Sequence, residues 1–393
     1  MLLHIAEDEK FIDSIIPEFE EIAPNKNIFL IVKPYDEYRL KYTNSNKIVC
    51  VTYNSAEYYE IIKENKNADA IIFHNAIKRY KWDLLKKLPS STPKVWIAWG
   101  ADLYSCSRLA NAIYKSKTKK HAREVHKALT TLKGPLKNIL YELGSRVPKS
   151  WLLKLKLIDN IENYFKYIDY LSPVIKEDFD LLKRNYPNST FKYLPFNYNL
   201  NAGLYSNMDQ PINSGKNILV GNSASPVNNH LDTFQLLRSI QLDPDQKIIV
   251  PLSYGGDQKY IKTIIKQGRK YFGDHFLPIT EFMPKEEYYK LLYSVGFGFF
   301  NSLRQHAMGN INLLIFLGAK VFLDKKNPAH SFYHKLKVNF RTINSDVSYL
   351  TIELSTNLKK EQILLNRSII HEAFGISSFQ TKLDHFISKL LGK

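Results

Sequence analysis

Short apolar runs alternate with amphipathic segments twice along this chain, and no other feature narrows its fold as much. LLHIA, NIFLIV, KIVCVTY, DAIIFH and KVWIAW read as strands, with FIDSIIPEFEEI, SAEYYEIIKEN and WDLLKKL between some of them as helices. Strands apolar on both faces belong in a parallel sheet covered by helices. A second series starts at Lys216 with NILVG, KIIVPLSY, FLPI, GFGFF and AKVFL, interleaved with helical stretches such as DQKYIKTIIKQGRKYF. The expectation is an α/β chain of two halves, joined where NYNLNAGLYSNMDQPINS loses all periodicity. The domains are drawn at 1–198 and 199–360, followed by C-terminal helices over 361–393 with the option of packing back on the first.

Charge adds a partner to this frame. The chain of 393 residues has a formal net charge of +17. Such an excess calls for a polyanion: nucleic acid, anionic lipid or a phosphorylated substrate. Between Arg108 and Lys156 thirteen Lys/Arg face only Glu124 and Glu142, so one insert, about 106–158, carries most of the excess. Leu129, Leu132, Leu136, Ile139, Leu140 and Leu143 recur there at roughly helical spacing. A basic amphipathic insert can lie on an anionic membrane surface; a solvated helical pair packed on the domain is the alternative. No stretch reaches the ~18 apolar residues of a membrane span, and MLLHIAEDEKF lacks the pattern of a signal peptide. Cys50 and Cys106 have neither metal nor disulfide spacing. A cytoplasmic protein that meets membrane only at its surface is the expectation.

Ligands of open α/β sheets sit at the carboxyl ends of the strands. Three loops of the second half have suitable residues. In KNILVGNSASPVNNH, Gly221 would let a ligand approach the backbone, and Asn222, Ser223 and Ser225 offer short polar groups. PLSYGG follows KIIV. SLRQHAMGNINLLIFLG follows GFGFF, with Gly309 and Asn310 expected just before an apolar helix and Arg304 upstream as a clamp. A helix N-terminus and an arginine together suit a diphosphate. The spacing matches neither GxGxxG nor GxxxxGK[ST]. No metal motif is present; Asp243-Pro-Asp245 reads as a surface turn.

In the first half, His4, Asp8, His74 and Asp102 stand near strand ends as candidate general bases. For Asp102 the competing role is a helix N-cap, and for His4 and His74 it is hydrogen-bonded packing.

WIAWGADLY, ILVGNSASPVNNH, VPLSYG and LRQHAMGNINLLIFLGAKVFLDKKNPA resemble, in order, segments of the bacterial 4-acetamido-4,6-dideoxygalactosyl (N-acetylfucosaminyl) transferases of glycosyltransferase family 56. The resemblance runs loosely from His4 to about Tyr333. It implies a GT-B fold, with two Rossmann-like domains facing a cleft. It further implies inverting, metal-independent transfer from a dTDP-sugar to a lipid-linked saccharide on the inner membrane face, with no cofactor. Carried over by position, it supports Gly100, Asp102, Tyr104, Gly221, Asn222, Ser223, Asn229, His230, Pro251, Tyr254, Arg304, Gln305 and Gly309, and favours His4 and His74. His306-Ala307 replaces an expected Gln-Gly, and Asn310 a small hydroxyl residue, which bears on donor sugar and base. The competing classes are a nucleic-acid-binding protein, suggested by charge and aromatic content, and another GT-B enzyme such as a nucleotide-sugar epimerase.

Overall fold

The computed structural model describes residues 1–9, 11–76, 79–110, 112–121, 161–196, 198–199, 201–213 and 215–392. The described residues divide into two compact units. One is bounded as Met1–Leu109, Leu153–Leu200 and Ile376–Lys393, the other as Ala110–Leu152 and Asn201–Gly375.

The first unit is built on strands β1 (Leu2–Ala6), β2 (Asn27–Lys33), β3 (Ile48–Thr52), β4 (Ala70–His74), β5 (Lys94–Ile97), β6 (Tyr170–Ser172) and β7 (Lys192–Tyr193). They form one parallel sheet in the order β3-β2-β1-β4-β5-β6-β7. Every residue of β1 and β4 is buried, as continuous apolar runs in a doubly covered sheet require. Helices Ile12–Ile22, Ala56–Glu64 and Lys176–Asn185 connect the strands, and Ile376–Leu391 packs against Ile12–Ile22.

The second unit repeats the plan with β8 (Asn217–Val220), β9 (Ile248–Pro251), β10 (Phe276–Ile279), β11 (Val295–Phe300), β12 (Lys320–Leu323) and β13 (Arg341–Thr342). Its sheet is parallel, in the order β10-β9-β8-β11-β12-β13. Helix Met308–Leu317, apolar but for Asn310 and Asn312, is buried almost throughout and packs against Lys360–Phe374. Arg367, only 2% exposed, donates to the carbonyls of Phe316, Met208, Gln210 and Pro211. Its charge thus satisfies the C-terminal end of the buried helix and the chain leading into this unit.

Two boundaries differ from the reading of the sequence. The C-terminal segment divides at Gly375, its first helix belonging to the second unit and its last to the first. The start of the basic insert, assigned from sequence to the first half, groups with the second unit. Asp232 caps it by accepting from Lys117 N, Thr118 N and Thr118 Oγ1, and Asn229 Oδ1 accepts from Lys115 N. Most of the insert, including the apolar stripe Leu129 to Leu143, lies outside the described residues.

Candidate functional site

In both sheets the strand order reverses once: β1 lies between β2 and β4, and β8 between β9 and β11. At such a point the connections on either side leave over opposite faces, and a crevice opens at the strands' carboxyl ends. In the second unit two of the three expected loops, those after β8 and β11, meet there, and the third adjoins them.

Gly221, directly after β8, has φ +69°, and a Cβ there would fall 2.9 Å from Asn228 Cγ. The glycine therefore makes room for a side chain of its own loop, which corrects the expectation of a ligand in that space. Asn228 Nδ2 closes the loop by donating to the Ser223 carbonyl at 2.8 Å, and Ser223 Oγ also turns inward to it. Asn229, likewise left-handed at φ 52°, donates through Nδ2 to Asn301 O. Asn301 Nδ2 in turn donates to Thr233 Oγ1, so the exits of β8 and β11 are tied together. The loop after β9 joins through Ala224 N to Tyr254 O, 2.7 Å.

Several expected donor contacts prove to be internal braces. Asn229 spends both ends of its amide within the protein. His230 is fully buried and only half used, with Nδ1 against Tyr260 Oη at 3.1 Å and Nε2 unmatched, and Pro251 is the buried last residue of β9. Other candidates remain at least partly exposed. Asn222 Nδ2 donates to the half-exposed Tyr254 hydroxyl, and Asn310 Nδ2 to the Tyr288 hydroxyl at 2.9 Å. The helix begins at Met308, earlier than expected, so Gly309 and Asn310 lie in its first turn. Its first internal bond is Ile311 N to Ala307 O. The N–H groups of Met308, Gly309 and Asn310 thus have no acceptor within the helix. Arg304, mostly buried, is braced by Nη1 to Gln305 O, 2.9 Å, and Gln305 is buried beside it.

Four buried polar atoms at these strand exits, Asn222 Oδ1, His230 Nε2, Asn301 Oδ1 and His306 Nδ1, have no hydrogen-bond partner among the described residues. Unmatched atoms of this kind cost about 1–3 kcal/mol each, so each calls for a partner from outside the protein, a water or a ligand. Asn301 was not foreseen; its only signal is a polar residue ending the run VGFGFF.

The first unit's candidates are held differently. Asp102 is fully buried and accepts from Trp99 N, Leu103 N, Ala76 N and Trp96 Nε1 at 2.7–3.0 Å. That is the cap geometry, and it leaves the carboxylate without access to a substrate hydroxyl. Nearby, Gly100 takes φ +91° and Tyr104 Oη donates to Asp178. Asp8 accepts from Lys41 N, Tyr42 N, Thr43 N and Tyr38 Oη. Burial works against its charge, but the backbone donors outweigh it and hold the carboxyl below its ordinary range. His4 Nδ1 and His74 Nε2 pair at 2.9 Å with no exposure; His4 Nε2 reaches Asn27 Oδ1, and His74 Nδ1 the Tyr198 hydroxyl. Burial lowers the His4 pKa to about 3 and that of His74 well below the usual value, the latter helped by His4 and Lys81.

Lys81 was also unforeseen. It lies on the stripe Lys81, Leu85, Leu88, where an apolar residue belongs, and that placement was the available signal. A cavity of about 340 Å³ lined by Arg108, Glu162 and Tyr186 opens at the amino-terminal ends of β6 and β7, the opposite end of that sheet from the candidates. Among the described residues no cluster of His, Cys, Asp or Glu could hold a metal, and no helix is long and apolar enough to cross a membrane.

A family model described as 4-alpha-L-fucosyltransferase, glycosyl transferase group 56, matches residues 174–374, a little over half of the chain. Among solved structures, the chain is similar to one described as trehalose-6-phosphate from E. coli bound with UDP-2-fluoro glucose. Identity is 11%, coverage 100% of this chain and 99% of that one, and TM-score 0.61. It is also similar to a trehalose-6-phosphate synthase described as transferring glycosyl groups with retention (12% identity, 100% and 99% coverage, TM-score 0.57). A third is Anabaena HepE in complex with UDP-glucose (9% identity, 99% and 100% coverage, TM-score 0.58). At these identities the likeness speaks for the fold alone.

Two outcomes follow for stability. Ala307 holds φ +62° at the helix N-cap, where a side chain costs about 1–2 kcal/mol. Ala307→Gly should therefore stabilise the protein by about 0.5–1 kcal/mol after the greater freedom of glycine in the unfolded chain is subtracted. Ala307→Val should destabilise it, and urea unfolding of the two variants checks both signs. The second outcome concerns His4, His74 and His230, each without exposure and each lowered by burial, His230 to about 3. They are neutral in the fold, whereas the unfolded chain binds protons near pH 6.5. Their contribution is complete above about pH 6.5 and is lost as pH falls toward the folded pKa values, at up to about 1.4 kcal/mol per pH unit for each group. Urea midpoints measured at pH 7 and pH 5 should show the lower value at pH 5.

Proposed function

The chain belongs to the glycosyl transferase group 56 family and is a glycosyltransferase of the GT-B fold, and on that premise we propose that it moves a deoxy or acetamido sugar from a dTDP-linked donor to a lipid-linked saccharide, inverting the anomeric centre. The observation that carries the donor half of this reading is the set of unmatched buried atoms, Asn222 Oδ1, His230 Nε2, Asn301 Oδ1 and His306 Nδ1, beside a helix N-terminus at the reversal of strand order.

A leaving nucleoside diphosphate builds up negative charge as the glycosidic C–O bond breaks. The N–H groups of Met308, Gly309 and Asn310 and the guanidinium of Arg304 are fixed donors for that charge. Because each is already held by its own loop, little reorganisation accompanies the reaction. The reading calls for no cation and no cofactor. In it the acceptor's proton goes to a base of the first unit. The basic stretch Arg108–Lys156 supports peripheral attachment to an anionic membrane, where a lipid-linked acceptor is found.

Calorimetry with dTDP tests the donor site. Arg304→Ala should weaken binding by about 1.5–3 kcal/mol, the range for a hydrogen bond to a charged group; unchanged affinity would remove Arg304 from it. The anomeric configuration of the product, read by NMR against that of the donor, tests inversion directly, and a retained configuration would overturn it.

A further inference from the structure

Inverting transfer onto a hydroxyl requires a proton acceptor that the hydroxyl can reach. His4, His74 and Asp102 have no exposure, and Asp8 is ringed by donors from residues 38–43. Glu7 is different. It is the first residue after β1, at the reversal of strand order in the first sheet, and its side chain remains 18% exposed. Tyr80 Oη donates to its Oε1 at 2.8 Å, and Lys81 Nζ to its Oε2 at 2.7 Å. Lys81 is buried, and its other bonds, to the carbonyls of His74 and Asn75, fix it to the end of β4. The carboxylate is thus aimed by two anchored donors, one on each oxygen, and each oxygen keeps a second lone pair.

An aromatic cluster stands at the same carboxyl-terminal end of this sheet. Phe11, Trp99 and Tyr198 form a partly exposed cluster with ring centroids 5.4–5.7 Å apart. They come from the loops after β1, β5 and β7, and Tyr198 is tied to His74 at the end of β4. Apolar ring faces beside a few fixed polar groups are the usual lining of a small-molecule site.

We propose that Glu7 is the catalytic base of the glycosyl transfer. The proposal rests on the reading above that the chain moves a sugar onto an acceptor hydroxyl. The acceptor O–H gives its proton to the Glu7 carboxylate as its oxygen bonds to the anomeric carbon. The bond from that carbon to the diphosphate oxygen breaks, and its electron pair leaves with the nucleoside diphosphate. The resulting carboxylic acid returns the proton to solvent.

Glu7→Gln should lower turnover by a factor on the order of 10²–10⁴, with dTDP affinity by calorimetry unchanged. Because this variant leaves Lys81 buried without its anionic partner, Glu7→Gln/Lys81→Met is measured alongside it, and the better folded of the two decides. In Glu7→Ala, added formate should restore part of the turnover, which a merely structural carboxylate would not allow. Turnover within tenfold of the parent in a folded Gln variant would overturn the assignment, as would a loss in Glu7→Ala that formate leaves untouched. Absence of transfer by the parent protein with any nucleotide-sugar would instead overturn the functional reading on which the proposal rests.

Discussion

Between β8 and β11 the second sheet stops growing in one direction and starts in the other. Right-handed crossovers then send the connections on either side over opposite faces, so no helix caps the ends of these two strands. The polar groups of the candidate site are placed by this reversal: the turn at Gly221, the side chains of Asn222 and Asn301, and the first turn of the helix at Met308. The loops do not hang free there. Asn228 and Asn229 spend their amides stapling them, so the outward groups are held by a rigid frame. Such support keeps electrostatic stabilisation from being lost to reorganisation.

The first unit reuses the same topology for a different kind of chemistry. Its central strands bury His4 and His74 in otherwise apolar runs, which is tolerable only if every ring nitrogen is matched. Asn27 settles how. Its Nδ2 donates to Phe19 O, Ala23 O and Glu20, so Oδ1 accepts from His4 Nε2–H. His4 Nδ1 must then accept from His74 Nε2–H, and His74 Nδ1 from the Tyr198 hydroxyl. One amide therefore fixes two tautomers and the direction of a phenol, with both rings neutral as their burial demands. Lys81 and Asp102 follow the same rule, each buried and each surrounded by partners of the opposite hydrogen-bonding sense.

Where the chain departs from its family's pattern, the backbone records the change. Ala307 stands where the resemblance led to a glycine, and it keeps the left-handed conformation a glycine would take. The turn into the helix is thus retained at the cost of some strain. The adjoining His306 brings an imidazole nitrogen to the site's edge, a group of different reach and polarity from the glutamine to which the resemblance led.

Much of this was legible in the linear pattern. Short apolar runs bounded by Gly, Asn and Ser and alternating with amphipathic segments read as buried parallel strands with exposed exits, so the two α/β halves and the three exit loops follow from the order of residue types along the chain. The resemblance of WIAWGADLY and GNSASPVNNH to one glycosyltransferase family was likewise a property of order and residue type. Which side chains at those exits face a ligand was not. Gly221, Asn229 and Asp102, and one ring nitrogen of His230, have the right chemistry at the right positions, yet folding spends them on other residues of the protein. The reason is that hydrogen-bond partners such as Asn228, Asn301, Tyr260, Trp96 and Ala76 come from residues far along the chain or around a turn. Only packing brings them within 3 Å or so. Glu7 and Lys81 show the converse. Nothing in their local sequence marks an ion pair 74 residues apart; the parallel pairing of β1 with β4 creates it.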